Sequence, residues 1–437
     1  MRLLPVLAFA LFSTPAFADA LTFGGVIGGQ DTLLEITQPS DGAVAGRYTF
    51  TDAGGDVPLV AAGTRDGGTV WLLTEEAPCG EGDCVSNDNG VVVDPPVAAT
   101  WEVVYDPETL MLTATRTAGD EVSTGEFYLM GSRPLDEGEE VTAAGLHGRS
   151  AVFIYSPDKL LAVETAPYEM ALLDLELPPG KSKTLGAATW HYVADPRTRF
   201  GFPRIASFAG GEPVDAANAV LADRHYRMSL SALGCLAYRY AAYGVNEWQT
   251  EAGGTLAGYE DETIRLTYAS PRLVSWTESG SLYCGGAHPA NHHNSYTYDL
   301  ETGAPLQFSR LFSAWVPREW GAALDELADT DLAFENPEAY QWGPDAELAA
   351  FVRNSIPEDV LTGEAELDEA CYGIDAIAEH LDIRFTDLNG APAATFTLSG
   401  FPHVLSVCNT DLFTAPLAEL EPFLGPAASD YFPELGG

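Results

Sequence analysis

Asp66-Gly67-Gly68-Thr69-Val70-Trp71-Leu72-Leu73 is the stretch that decides the fold of the N-terminal part of the chain. An aspartate followed by two glycines is typical of a turn, and the β-branched and aromatic residues after it are typical of a strand. The pattern recurs roughly every ten residues, a spacing typical of all-β domains. The other apolar runs lie at residues 33–36, 46–50, 57–60, 101–105, 110–113 and 127–129. Together they predict an antiparallel meander that closes as a β barrel or sandwich.

The second half of the chain mixes helical and strand patterns. Pro213 precedes apolar residues at helical spacing, and Asn389-Gly390 between two alternating runs predicts a hairpin. The predicted helices are 213–228, one after Pro317, one around 348–352 and 417–424, and the predicted strands are 263–268, 273–276, 295–300, 381–385 and 395–398. The expected class is α+β, with the N-terminal barrel or sandwich followed by a mixed domain that packs helices on an antiparallel sheet.

The chain is long enough, at 437 residues, for two or more domains. We predict a β-rich domain over residues 19–138 and a connecting region of strands and loops over 139–205. The α+β domain should span 206–426, and 427–437 should form a C-terminal tail.

The first residues have the features of a cleavable signal peptide. Arg2 supplies a positive charge, residues 3–12 are apolar, and Ala16-Phe17-Ala18 fits the cleavage pattern. The apolar run is shorter than the roughly 20 residues that a membrane-spanning helix needs. We therefore predict that residues 1–18 are removed after Ala18, and that the mature protein is periplasmic or secreted, without a membrane span.

Six cysteines, an even number in an exported chain, predict disulfide bonds. Six cysteines allow fifteen pairings, and we predict the sequential one because each bond then joins residues of one structural segment. The predicted bonds are Cys79–Cys84, Cys235–Cys284 and Cys371–Cys408. A zinc site is the alternative, but no two cysteines have the Cys-x-x-Cys spacing of structural zinc sites.

The chain is strongly acidic, with 64 acidic and 21 basic residues and a formal net charge of -43. Such a surface repels nucleic acids and anionic lipids, so both are excluded as main partners. It attracts cationic proteins. The alternative is that acidity spread along the whole chain only keeps the protein soluble.

The most informative motif is Tyr283-Cys284-Gly285-Gly286-Ala287-His288, followed by Asn294-Ser295-Tyr296-Thr297-Tyr298-Asp299-Leu300, Thr302-Gly303, Leu306 and Leu311-Phe312. It resembles the signature of an extracytoplasmic domain family of unknown function. That domain forms the C-terminal part of a lysozyme-sensing anti-sigma factor and accompanies some peptidoglycan deacetylases. The resemblance covers about residues 205–425, and it implies an α+β fold and the binding of a protein such as lysozyme or of peptidoglycan.

The candidate binding residues in and after this motif are Gly285, Gly286, His288, His292 and Tyr296. A structural interpretation stays open beside the functional one, because paired glycines allow a close approach of the backbone at a strand end. In that case the motif maintains the fold and binds nothing.

His288, His292 and His293 lie close to Cys284, and all four side chains are of types that bind zinc. Pro289 disfavours the helix that would align His288 with His292, so we predict no metal and no cofactor. Residues 87–90 are rich in oxygen ligands but lack the glutamate of a calcium loop. No nucleophile elbow, zinc-protease motif or phosphate-binding loop occurs, so no catalytic residue is assigned.

The sequence therefore favours a binding protein, with a cationic protein or cell-wall material as its ligand. A cell-wall-directed hydrolase or esterase is the first alternative, and it would require polar groups that converge in a pocket. A structural protein of the cell envelope is the second.

Overall fold

The computed structural model describes residues 19–38, 44–79, 84–136, 138–156, 159–198, 200–244, 259–284 and 290–436, with backbone alone at 259–261, 290, 434 and 436. The chain forms two compact units. The barrel unit comprises Met1–Leu175 and Leu230–Gly253, and the mixed unit comprises Glu176–Ser229 and Gly254–Gly437.

The barrel unit contains a closed antiparallel barrel of eight strands. Its strands, with the separate hairpin β6–β7, are β1 Asp19–Ile27, β2 Gln30–Gln38, β3 Gly46–Phe50, β4 Val57–Arg65, β5 Val70–Glu76, β6 Val85–Ser86, β7 Val92–Asp94, β8 Val97–Asp106, β9 Met111–Ala118 and β10 Glu121–Pro134. Neighbours in the chain are neighbours in the sheet, and β1 pairs with β10 to close it. The meander prediction is confirmed, and the barrel is the form it takes.

Successive side chains of each barrel strand point alternately into the barrel and away from it. Leu34 and Ile36 of β2 belong to the barrel core, which also holds Trp101 and Phe127 with no exposed surface. Glu35 lies between Leu34 and Ile36, so its side chain points to the other face. Glu35 is buried too, which means that something covers the barrel from outside.

The cover consists of two helices, α1 Ala143–Tyr155 and α2 Pro167–Leu173. They correct the prediction that residues 139–205 contain only strands and loops. Helix α1 contains Gly145 and Gly148 as well as β-branched residues. These residues have low helix propensity, so the sequence of this segment does not indicate a helix. Thr142 nevertheless caps α1 by accepting a hydrogen bond from the amide of Gly145.

The mixed unit is built from short antiparallel sheets and helices. Its strands are β11 Lys183–Leu185, β12 Ala188–Ala194, β13 Gly201–Phe208, β14 Tyr259–Ala269, β15 Leu273–Leu282, β16 Ala290–Asp299, β17 Ala304–Pro305, β18 Trp315–Glu319, β19 Tyr340–Pro344, β20 Leu381–Leu388, β21 Ala391–Leu398 and β22 Thr410–Pro416. Its helices are α3 Asp215–Cys235, which continues into the barrel unit, α4 Phe308–Leu311, α5 Thr330–Glu335, α6 Ala346–Ser355, α7 Ala365–Tyr372, α8 Ile374–His380 and α9 Ala428–Tyr431. The α+β class is confirmed.

The predicted hairpin is confirmed, and both turn residues have positive φ angles, 58° at Asn389 and 90° at Gly390. The helix predicted after Pro317 is wrong. Pro317 lies in β18, and the chain then turns at Gly321, whose φ of 79° is incompatible with a continuing helix. The predicted helix at 417–424 is a 3-10 helix, Leu417–Phe423.

Residues 427–437 were expected to form a tail, and this is also wrong. Tyr431 and Phe432 are buried in the core of the mixed unit, to which Val352 of α6 and Phe396 of β21 also contribute. Two bulky aromatic side chains bury enough apolar surface to hold this segment against the core.

Cys79–Cys84 and Cys371–Cys408 are bonded as predicted. Cys235 and Cys284 are disulfide-bonded as well. In the part of the chain that the structure describes, no helix is both long and apolar enough to cross a bilayer.

Candidate functional site

The sheet β14–β15–β16–β17 carries two different sets of polar side chains on its two faces. Residues of β15 and β16 that face each other in register share a face, so Glu278 lies with Asn294 and Ser279 lies with His293. We call the face that carries Glu278 the inner face, and the face that carries Ser279 the cleft face.

Tyr296, one of the predicted binding residues, lies on the inner face in a buried ionic network. Its ring stacks on Trp276 with centroids 5.2 Å apart, and Arg224 of α3 donates a 2.8 Å hydrogen bond to its hydroxyl. The same guanidinium donates hydrogen bonds from Nε and Nη2 to both carboxylate oxygens of Glu278, which is 1% exposed. Burial raises the pKa of Tyr296. Tyr296 therefore helps to hold α3 on the sheet.

His292, the second predicted binding residue that the structure describes, also lies on the inner face. Its Nε2 is 3.2 Å from Oε1 of Glu262, whose pKa is raised by burial. The other three, Gly285, Gly286 and His288, lie outside the described residues. Among the residues that the structure does describe, no three ligating side chains come together as a metal site.

The cleft face borders a cavity of about 410 Å³ in the mixed unit, lined also by the sheet β20–β21–β22. Hydroxyl groups dominate its walls, from Thr263, Thr267, Thr277, Thr386, Thr395 and Thr414 together with Ser279. Thr386, Thr395 and Thr414 form a hydrogen-bonded row across three strands, at 3.0 and 2.8 Å. The cavity is thus suited to a hydrated, polar ligand.

The ionic centre of the cleft is Asp411 of β22. Its Oδ1 lies 2.9 Å from Nε2 of His293, and both of its oxygens accept hydrogen bonds from Arg384 of β20. Burial alone would raise the pKa of Asp411, but the hydrogen bonds and charges of Arg384 and His293 outweigh it and hold that pKa well below its usual range. Asp411 is therefore a carboxylate at neutral pH.

Arg265 supplies a second positive charge to the cleft. It lies on β14 opposite Thr277 and is exposed. It forms no salt bridge with any carboxylate of the described residues, although the chain has three acidic residues for every basic one. Its guanidinium is consequently available to an anionic group of a ligand.

In the sequence His293 stands beside two other histidines, and nothing near it in the chain indicates its partners. Asp411 and Arg384 lie about a hundred residues further along the chain, and no local spacing connects them to His293. The one available signal was alternation along residues 290–299, which places His292 and His293 on opposite faces of a strand.

A second ionic cluster lies in the barrel unit, between the barrel wall and its two helices. Arg47 of β3 bonds Glu35 at 2.7 Å, Asp56 at 2.9 Å and Glu169 of α2 at 2.7 Å, and its side chain has no exposed surface. Its guanidinium also lies over the ring of Tyr168 at 4.0 Å. Every direction around Arg47 is occupied by protein, so this cluster joins helices to barrel and is no binding site.

No protein-family model matches the sequence, and no curated protein matches it at a significant level, so the resemblance to the extracytoplasmic domain family stays a prediction.

Proposed function

We propose that the protein is an exported binding protein and that the cleft of the mixed unit binds cell-wall material that carries both hydroxyl and carboxylate groups. The observation that carries this proposal is Arg265, an exposed arginine that forms no salt bridge within the described part of the chain, at a cavity lined by six threonines. The predicted signal peptide and the disulfide bonds support export, because disulfides persist in oxidising compartments.

The chemistry of the cleft matches a glycan with acidic substituents. Each threonine hydroxyl can donate one hydrogen bond and accept others, as can each hydroxyl of a sugar. Arg265 can form two parallel hydrogen bonds with a carboxylate, which gives orientation as well as affinity. Peptidoglycan fragments contain sugar hydroxyls and carboxylates on the same molecule, so one ligand engages both features.

Calorimetric titration of the full mature chain with a soluble disaccharide-peptide fragment of peptidoglycan tests the proposal. Arg265→Gln should weaken binding at least 10-fold, which corresponds to about 1.4 kcal/mol. Arg65→Gln is the matched control, because Arg65 is exposed on the barrel and its loss changes the net charge equally. The proposal fails if the wild-type chain does not bind the fragment, or if Arg265→Gln binds it as well as the control does.

A cationic protein such as lysozyme is the second candidate ligand, and the net charge of -43 supports it. Lysozyme should be titrated at about 0.15 M and about 1 M salt, where the screening length falls from roughly 8 Å to 3 Å. Cytochrome c serves as a basic control. Binding of lysozyme alone that persists at high salt would support a shaped protein interface. Binding that cytochrome c shares, or that salt abolishes, would reflect diffuse charge and contradict this candidate.

If neither ligand binds, the structural role in the cell envelope becomes the better interpretation. That role requires no occupied cleft.

A further inference from the structure

We propose that Ser279, His293 and Asp411 form a nucleophile, a general base and the carboxylate that orients the base, and that the cleft hydrolyses an ester of its polar ligand. The substrate class rests on the proposed function, whereas the three residues follow from the geometry of the cleft.

Ser279 and His293 are direct cross-strand partners in the register of β15 and β16. Side chains in such positions lie on one face with their Cβ atoms roughly 5 Å apart, which brings a serine hydroxyl within reach of an imidazole ring. Both residues are half-buried and both line the cavity, so a substrate could contact them.

Asp411, the third residue of the proposed set, is held in place by Arg384. His293 presents Nε2 to Asp411 at 2.9 Å, and Arg384 holds both carboxylate oxygens of Asp411. Arg384 is 8% exposed, so it is an anchored support. An ionised carboxylate in this position orients the imidazole and stabilises the imidazolium that forms during catalysis. The ring nitrogen of His293 that does not face Asp411 is then the base for Ser279.

The reaction follows from these roles. The hydroxyl oxygen of Ser279 attacks the ester carbonyl carbon while His293 takes the hydroxyl proton, which gives a tetrahedral oxyanion. The bond to the alcohol breaks, and His293 gives its proton to the leaving oxygen, which leaves an acyl-serine. Water then attacks the acyl carbon, His293 takes a proton from the water and returns it to Ser279, and the carboxylic acid departs. The sum is one ester and one water converted to one acid and one alcohol.

The test uses the full mature chain with p-nitrophenyl acetate as the probe ester. Ser279→Ala and His293→Gln should each lower the hydrolysis rate at least 100-fold, the usual effect of losing a nucleophile or its base. Ser313→Ala is the control, because Ser313 is an exposed serine outside the cleft, and it should hydrolyse the ester at the wild-type rate. A fluorophosphonate should label the wild-type chain once, and mass spectrometry of peptides should place the label on Ser279.

The inference is overturned if the wild-type chain does not hydrolyse the ester faster than buffer, if Ser279→Ala retains the wild-type rate, or if the label lies on another residue. Titration of Ser279→Ala with the peptidoglycan fragment separates the two proposals. If the fragment binds but no ester is hydrolysed, the catalytic inference alone has failed. If ester is hydrolysed but the fragment does not bind, the ligand class has failed and the catalytic residues stand.

Discussion

Each unit of the molecule contains an arginine that is bonded to carboxylates, but the two clusters differ in their access to water. Around Arg47 in the barrel unit, Glu35 and Glu169 have no exposed surface. Around Arg384 in the mixed unit, Asp411 is 42% exposed and His293 is 25% exposed. The partners are chemically alike, whereas one cluster is sealed and the other opens into a cavity.

This difference separates a structural role from a functional one. In the sealed cluster each charge is compensated by protein, and no ligand can approach without displacing a helix. In the open cluster the carboxylate is fixed by Arg384 on one side while His293 still faces the cavity. Buried ion pairs alone are therefore poor evidence for a site, and the exposure of one member is the informative observation.

Arg47→Met should lower the free energy of unfolding more than any other substitution proposed for either cluster. It leaves the buried carboxylates of Glu35, Asp56 and Glu169 without their shared cation, and breaking a buried pair on one side costs about 3–5 kcal/mol. Urea unfolding followed by circular dichroism would measure the loss of free energy of unfolding. Faster hydrogen exchange in β2, β3 and α2 would place that loss in the barrel unit.

Arg65→Met is the control for this comparison, because Arg65 pairs with Glu102 on the exposed surface of the barrel. We expect no measurable change for Arg65→Met, since exposed pairs are screened by solvent. If the two variants unfolded at the same urea concentration, the sealed cluster would not stabilise the fold.

Asp411→Asn should have a smaller effect, about 1 to 2 kcal/mol at pH 7, because solvent screens a partly exposed carboxylate. The pKa of Asp411 is lowered in the folded protein. Its contribution is therefore present above the unfolded pKa of about 4 and is lost as the pH falls below that value. Urea unfolding at pH 7 and at about pH 3 should show the difference between wild type and variant shrinking at the lower pH.

Asp325→Asn controls for the removal of one negative charge from an acidic protein, because Asp325 is exposed in a loop. An equal change in both variants, or a difference for Asp411→Asn that grows in acid, would contradict the role assigned to Asp411.

The barrel was predictable because its signals are local. Alternation marks the strands and glycine or aspartate marks the reversals, so seven of the eight barrel strands follow from short windows such as residues 66–73, whereas β1 does not. The helices that cover the barrel were not predictable from such windows. Helix α1 has low intrinsic propensity, and it is held by tertiary contacts such as the bond of Ser150 to Glu169 and Arg47.

The candidate site was less predictable than the fold. The motif led to His292 and Tyr296, which the structure places on the inner face of the sheet. The cleft forms because β20 and β22 approach β16. Contacts between residues so far apart in the chain cannot be inferred from a local sequence pattern. His293 was visible in the sequence, but its significance rests on Asp411, which is 118 residues away.

Asp382→Asn should change the free energy of unfolding least, and it should stabilise the protein, whereas Arg47→Met and Asp411→Asn should destabilise it. Asp382 lies on β20 two residues before Arg384. Burial raises its pKa from 3.8 to about 6, and the hydrogen bond from the amide of Ile383 and the charge of Arg384 oppose this shift without cancelling it. A carboxyl with a raised pKa stabilises the fold fully below the unfolded pKa of about 4, and this contribution is lost as the pH rises through about 6. At pH 7 the wild type therefore holds an ionised carboxylate at a cost that asparagine avoids.

We expect Asp382→Asn to stabilise the protein by about 1 kcal/mol at pH 7 and to give no stabilisation near pH 4. One pKa unit corresponds to about 1.4 kcal/mol, and the side chain retains partial contact with water, which reduces the effect. Urea unfolding at both pH values measures this stabilisation. Asp359→Asn, at an exposed position, is the charge-matched control. A destabilised variant at pH 7 would mean that Arg384 compensates Asp382 as well as Asp411, and the open cluster would then include both carboxylates.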